Sequence, residues 1–234
     1  MKLAIMQPYF LPYIGYFQLI NAVDKFVVYD NIQFTKKGWI NRNRILVNGK
    51  DEYFTLPLKK DSDYLNVDQR KLAETFPAER LKLLRKLTVA YSKAPYYETV
   101  FPVIESIINQ DEDNLFKFIY QSLQIICNYL DIKTKFIISS AVSIDHSLKS
   151  EDKVIAICSA LNADRYINPV GGLELYSKEI FKKKNIELNF IKPGTISYVQ
   201  FNNEFISWLS IIDVMMFNST ETLQQYIQSD YSII

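Results

Sequence analysis

Short apolar runs alternate with stretches of helical spacing along this chain, and their order predicts the architecture. Residues 2–6 are mostly apolar up to Gln7-Pro8, where proline disfavours helical backbone in its neighbour, so a strand ends there at a loop. A short helix over 17–23 and a second strand over 25–29, with the sequence KFVVY, lead to Asp30. A strand, helix and strand of this length form a right-handed crossover in a parallel sheet. The loop after the first strand then lies at the carboxyl edge, where ligands bind. Residues 44–47 and 53–56 flank Asn48-Gly49 and predict an antiparallel hairpin.

From Ala78 the spacing changes to that of a helix. Leu81, Leu84, Leu87 and Tyr91 are expected on one buried face, ending before Ala94-Pro95. Helices are expected over 97–108 and 112–130, the second behind Asp111, Glu112 and Asp113, whose charges suit a helix N-terminus. Strand signals return at 135–138, 165–167 and 186–191, with helices over 151–161, 177–184, 207–215 and 220–228. The expected fold class is α/β, a mixed, largely parallel Rossmann-like sheet. Residues 1–234 are expected to form one domain, with sheet-forming parts about 1–60 and 133–234 and a helical insertion about 75–131.

Composition narrows the functional classes. The chain has 234 residues, 27 Lys+Arg against 26 Asp+Glu, one His and 48% hydrophobic residues. That balance excludes a disordered or collagen-like chain and lacks the basic footprint expected of a nucleic-acid binder. Cys127 and Cys158 sit in apolar runs and are expected to be free and buried. With a single histidine and no Cys/His cluster, no metal site is expected. The opening apolar run is too short for a secretory leader, and no apolar stretch reaches about 18 residues. A cytoplasmic protein without a membrane span is the expectation.

Candidate chemistry gathers at the predicted strand ends. Between Gln7 and Phe17, two prolines stiffen a segment carrying Gln7, Tyr9, Tyr13, Gly15 and Tyr16. Asp30 is a candidate general base or amine-binding carboxylate, with Gln33 beside it. Trp39, Asn41 and Arg42 follow in a cationic loop, where an indole can stack on a base or sugar and Arg42 or Arg44 can grip a phosphate. Asn168, Gly171, Gly172 and Tyr176 mark a second strand-end loop, where paired glycines let backbone N–H groups approach a ligand oxygen. His146 is a candidate general base or a capping histidine. Asp213, in an apolar run, needs a partner such as an arginine or backbone amides. Tyr13-Ile14-Gly15-Tyr16 resembles in position the His-x-Gly-His signature of nucleotidylyltransferase-like folds, which would call for ATP with magnesium. Tyrosines are neutral donors, however, and stabilise phosphate charge less.

Taken together, four segments resemble the WbqC-like family of bacterial proteins. They are Gln7-Pro8 through Pro12 to Gly15-Tyr16-Phe17, Asp24 through Gln33 with Asn41-Arg42-Asn43, Tyr91 through Tyr96, and Gly171-Gly172 through Gln200 to Leu209-Ser210-Ile211-Ile212-Asp213. The family often has Trp where this chain has Tyr13. The resemblance implies a role in O-antigen, lipopolysaccharide or other surface-polysaccharide biosynthesis. It fits acyl or aminoacyl transfer to the amine of a dTDP- or UDP-linked amino sugar, with Asp30, Tyr16 and His146 as candidate catalytic groups. Gln7, Tyr9, Tyr13, Gly15, Gln33, Trp39, Asn41, Arg42, Asn168, Gly171, Gly172, Tyr176 and Gln200 are then the candidate binding residues. A non-catalytic sugar-nucleotide binder and an adenylating enzyme are the alternatives. Aromatic surface at Phe10, Tyr96 and Tyr97 leaves room for a homodimer.

Overall fold

The computed structural model describes residues 1–201 and 203–234. In chain order it forms β1 (Lys2–Met6), α1 (Ile14–Asn21), β2 (Lys25–Val28), the hairpin β3 (Arg42–Val47) and β4 (Lys50–Thr55), and helices α2 (Phe76–Tyr91), α3 (Tyr97–Ile108) and α4 (Leu115–Tyr129). There follow β5 (Lys135–Ile138), α5 (Ser150–Ala160), β6 (Arg165–Pro169), α6 (Lys178–Lys183), β7 (Glu187–Pro193), α7 (Ile211–Phe217), α8 (Thr220–Ser229) and β8 (Tyr231–Ile233).

Six strands share one sheet in the order β5-β2-β1-β6-β7-β8, parallel except for β8. This is the mixed, largely parallel α/β architecture expected of the chain. The antiparallel member is the C-terminal β8, and the β3–β4 hairpin stands apart as its own two-stranded sheet. Three residues of β8 give too little alternation to read as a strand in isolation; pairing with Ile191, Lys192 and Pro193 makes it one.

Alternation along the central strands feeds two cores. Leu3, Ile5 and Val27 face one side with Ile157, Cys158 and Phe181 of α5 and α6. Ala4, Phe26 and Val28 face the other with Phe17, Ile20, Phe118 and Ile227 of α1, α4 and α8. Both cysteines are free and buried, one in each core. Phe10, expected at the surface, is fully buried between Phe54 and Phe118, with ring centroids 5.8 Å away in each case. Tyr96 and Tyr97 pack half-buried against the same core, so the proposed aromatic dimer face is largely internal.

Caps account for the shifted helix boundaries. Asn114, not the acidic cluster before it, starts α4: its side chain accepts from the Lys117 N–H at 3.0 Å. Ser210 starts α7 by accepting from Ile212 N–H at 3.3 Å. Leu81 is 54% exposed, so the buried stripe of α2 runs through Phe76, Leu84, Leu87 and Tyr91. Among the described residues no helix is long and apolar enough to cross a membrane.

Candidate functional site

Strand order reverses at β1: β2 and β5 lie to one side, β6 and β7 to the other. All five of these strands are parallel, so the loops opening at Gln7, Asp30 and Val170 leave the same edge of the sheet. Such a switch point leaves a crevice that neighbouring crossovers do not fill.

Backbone-directed hydrogen bonds weld three distant segments around that crevice. The Asn43 amide donates to Leu11 O at 2.9 Å, Ser210 Oγ donates to the same carbonyl at 2.7 Å, and Ile211 N–H donates to Pro12 O at 2.8 Å. Phe10 N–H donates to Ile40 O at 3.0 Å, and Ser210 N–H to Arg44 O at 2.9 Å. Every side chain of Asn41-Arg42-Asn43 serves this frame. Asn41 donates to Leu56 O at 2.9 Å, while the Arg42 guanidinium donates to the carbonyls of Gly38 and Lys37 and lies 4.8 Å from the Tyr53 ring centroid. Arg42 thus fixes the loop that carries Trp39 and is spent on the backbone, leaving Arg44 as the arginine of the crevice.

Two cavities open there. The larger, about 610 Å³, lies at the carboxyl ends of β6 and β7 and is lined by Tyr13, Val170, Lys192, Thr195, Ser197, Tyr198 and Trp208 among others. The smaller, about 230 Å³, is lined by Tyr9, Pro12, Tyr13, Trp39, Asn43, Arg44 and Trp208. Tyr13 and Trp208, with ring centroids 5.3 Å apart, line both and separate them. Gly15 makes the placement of Tyr13 feasible, because a Cβ on Gly15 would stand 2.3 Å from Tyr13 Cε2. Trp208 holds φ at 61°, an unusual conformation for a bulky residue, and its carbonyl accepts from Arg44 at 3.3 Å.

The three candidate catalytic groups are each engaged elsewhere in the frame. Asp30 is buried at the end of β2, and its two carboxylate oxygens accept from Ser140 N–H at 2.9 Å and Ser140 Oγ at 2.5 Å. His146 Nδ1 lies 2.9 Å from the Asn31 amide nitrogen and its Nε2 lies 3.0 Å from Val142 O. The Tyr16 hydroxyl donates to Gln7 O at 2.8 Å, and burial holds it well above the usual tyrosine range. Lys153 of α5 joins Asp30 and Asn31: it is 5% exposed, its Nζ lies 3.5 Å from Asn31 Oδ1 and 4.9 Å from the Tyr29 ring centroid, and burial lowers its pKa. The sequence signals Lys153, since it shares a helical stripe with the buried Val154, Ile157 and Cys158.

On β6, Tyr166 donates to Asn168 Oδ1 at 3.1 Å, and Gly172 is required by crowding, its would-be Cβ lying 2.0 Å from Asn168 Nδ2. Gly171 has open space, and Tyr176 packs its ring edge on Tyr166 at 5.8 Å. Gln33 is exposed outside the crevice and donates to Asp63 O at 3.1 Å. Lys192, Thr195, Ser197 and Trp208 were not among the candidate residues; the signal for Lys192 is a cation just before the Pro193-Gly194 that ends a strand.

Gln200 does not face a cavity. It is 1% exposed, its amide bridges the N–H and C=O of Ile206 at 2.7 and 3.0 Å, and it donates to Asp213 at 2.7 Å. Asp213, fully buried, also accepts from Tyr91 at 2.8 Å and Tyr198 at 2.7 Å. No arginine, lysine or histidine is within ion-pair distance among the described residues, so three neutral donors take the place of the expected arginine or backbone amides. Burial raises the Asp213 pKa above 3.8, against the lowering effect of its hydrogen bonds. A carboxyl whose folded pKa exceeds its unfolded one stabilises the fold in its protonated form, and that contribution fades as pH rises through the folded value. Urea unfolding is therefore expected to show stability falling from about pH 4 upward through this window. Asp213→Asn should flatten that segment; an unchanged pH profile in the variant would refute the assignment.

No group of three or more His, Cys, Asp or Glu side chains is placed to hold a metal among the described residues. No solved structure matches the chain. A Mycobacterium tuberculosis (strain ATCC 25618 / H37Rv) protein described as uncharacterized protein Rv1507c is 28% identical to it, over 97% of each chain. The profile of the WbqC-like protein family matches residues 7–225, which include both cavities' walls and the bonds that join them, and the chain belongs to that family.

Proposed function

We propose that this protein binds a nucleotide-linked amino sugar, dTDP- or UDP-linked, and transfers an acyl or aminoacyl group to the sugar's amine in the cytoplasmic synthesis of a surface polysaccharide such as O-antigen. The observation that supports this reading is the 610 Å³ cavity at the switch-point edge, within the volume range of small-molecule sites, with aromatic walls, the aliphatic hydroxyls of Thr195, Ser197 and Ser207, and Lys192 as the one cation lining it among the described residues. Aromatic faces suit the sugar or base, and a lysine suits a diphosphate.

In such a transfer the amine nitrogen forms a bond to the acyl carbon, the donor's acyl bond breaks, and a proton leaves nitrogen. Asp30 lines neither cavity and accepts one Ser140 hydrogen bond on each oxygen, so for it to take that proton the amine must reach a lone pair that Ser140 leaves free. A second reading, a sugar-nucleotide binder or assembly partner without turnover, is favoured by the engagement of Asp30, Tyr16 and His146 in the frame. An ATP-dependent adenylating activity is the third.

Thermal shifts with dTDP- and UDP-linked amino sugars, ATP with magnesium and acyl thioesters test these readings, a ligand at 100 times its Kd adding about 2.7 kcal/mol. Mass spectrometry of the amine then detects acylation. Asp30→Asn is expected to lower turnover at least tenfold with little change in binding if Asp30 is the base; unchanged turnover would remove it from the mechanism.

A further inference from the structure

A third cavity, about 400 Å³, opens beside the larger one at the same edge of the sheet, and residues 192–195 form a wall common to both. Its other wall is 229–232, where α8 ends and β8 begins. The two walls are pinned at close range. Gly194 N–H donates to Asp230 O at 2.7 Å, and the buried Gln18 amide donates to the same carbonyl at 2.9 Å. A Cβ on Gly194 would stand 2.7 Å from that oxygen, so glycine is what lets the walls approach this closely. Antiparallel pairing sets Lys192 directly across from Ser232, which puts their side chains on one face of the sheet.

Lys192 and Asp230 are the charged residues that line this cavity among the described residues. Neither is in an ion pair, with the other or with any third group among those residues. An ammonium and a carboxylate that line one space, too far apart to neutralise each other, are bridged by a ligand carrying both signs of charge. A simple acid or a simple amine satisfies one of the two groups and leaves the other unpaired, and a diphosphate placed here brings like charge to Asp230. The hydroxyls of Thr195 and Ser232 add groups that can donate or accept.

We propose that this cavity binds an α-amino acid, free or as the acyl part of an activated donor, with its ammonium on Asp230 and its carboxyl end toward Lys192. Because Lys192 lines the larger cavity too, the carboxyl carbon comes to the wall beyond which the sugar amine would sit. An ammonium has three N–H donors, enough for Lys192 to serve that carboxyl end and a diphosphate together. The proposal rests on the transfer reading above for what becomes of the amino acid, and it deepens that reading by selecting aminoacyl over simple acyl groups.

Ligand-observed NMR titrations of the full-length protein with glycine, L-alanine, propionate and ethylamine test it, the last two being alanine without its ammonium and without its carboxylate. Both amino acids are expected to bind saturably, with propionate and ethylamine at least tenfold weaker. Asp230→Asn should weaken alanine at least tenfold and leave propionate unchanged, whereas Lys192→Met should weaken alanine and leave ethylamine unchanged. Both side chains reach solvent, so neither substitution strands a buried group. Equal affinity for all four probes, no saturable binding of either amino acid, or wild-type alanine affinity in either variant would overturn the proposal. Failure of the site and failure of the transferase reading are distinguishable. Amino-acid binding without acylation of any amino sugar removes the transferase and keeps this site; acylation by a simple acyl thioester, with no amino acid bound, removes this site and keeps the transferase.

Discussion

Asp213→Ala is expected to destabilise the protein by about 3 kcal/mol, because each buried donor left without an acceptor costs on the order of 1–3 kcal/mol. Three are stranded at once: the hydroxyls of Tyr91 and Tyr198 and the Gln200 amide. The loss does not reach the full sum, since removing a buried charge without a cationic partner returns part of it. For a domain of this size the melting temperature should fall by roughly 6–12 °C. Asp213→Asn keeps an acceptor oxygen in nearly the same place and should cost far less. Calorimetry on both variants checks the account, and equal losses would show that shape, not hydrogen bonding, governs the site. Tyr91 extends the consequence into the hairpin, because its hydroxyl also accepts from Leu46 N–H at 3.0 Å.

Gly15→Ala should do the opposite, sparing the fold and disabling the site. The new methyl would stand 2.3 Å from Tyr13 Cε2, so the ring must swing away from the wall it shares between the two cavities. Within α1 the alanine gains about 1 kcal/mol of helix propensity, which offsets much of the displacement. Ligand affinity is expected to fall at least tenfold, about 1.4 kcal/mol, with the melting temperature of the free protein nearly unchanged. Parallel titration and melting curves separate the two effects. Wild-type affinity in this variant would exclude Tyr13 from ligand contact.

Much of the fold was legible because its signals are local. The apolar runs of β1 and β2, the Asn48-Gly49 turn and the strand-end prolines are each decided by a few neighbouring residues. The site was harder to read because its polar residues work over long separations. Asn41, Arg42 and Asn43 look like ligand-binding groups in sequence, yet Asn41 and Asn43 are consumed by carbonyls 15 and 32 residues away and Arg42 by those of its own loop. Gln200 similarly reads as a free amide until Ile206 and Asp213 are brought to it. Tyr13 and Trp39 stood out by residue type, and both line a cavity. Trp208, by contrast, gains its place from a left-handed turn just ahead of α7 that composition does not reveal.

The Leu11 carbonyl, held by Ser210 across 199 residues, makes assembly of the site wait for the segment that carries Ser210. Gln18 reaches further, donating to the carbonyls of Tyr226 and Asp230 across 208 and 212 residues. The first loop and α1 therefore stay without these partners until the segments around Ser210 and Tyr226 have been made, since contacts of such separation form only once both ends exist. A chain cut short before Ser210 would retain β1 and β2 and still lack the bonds that close the first loop around its crevice, so the protein gains its binding surface only once α7 has joined the sheet.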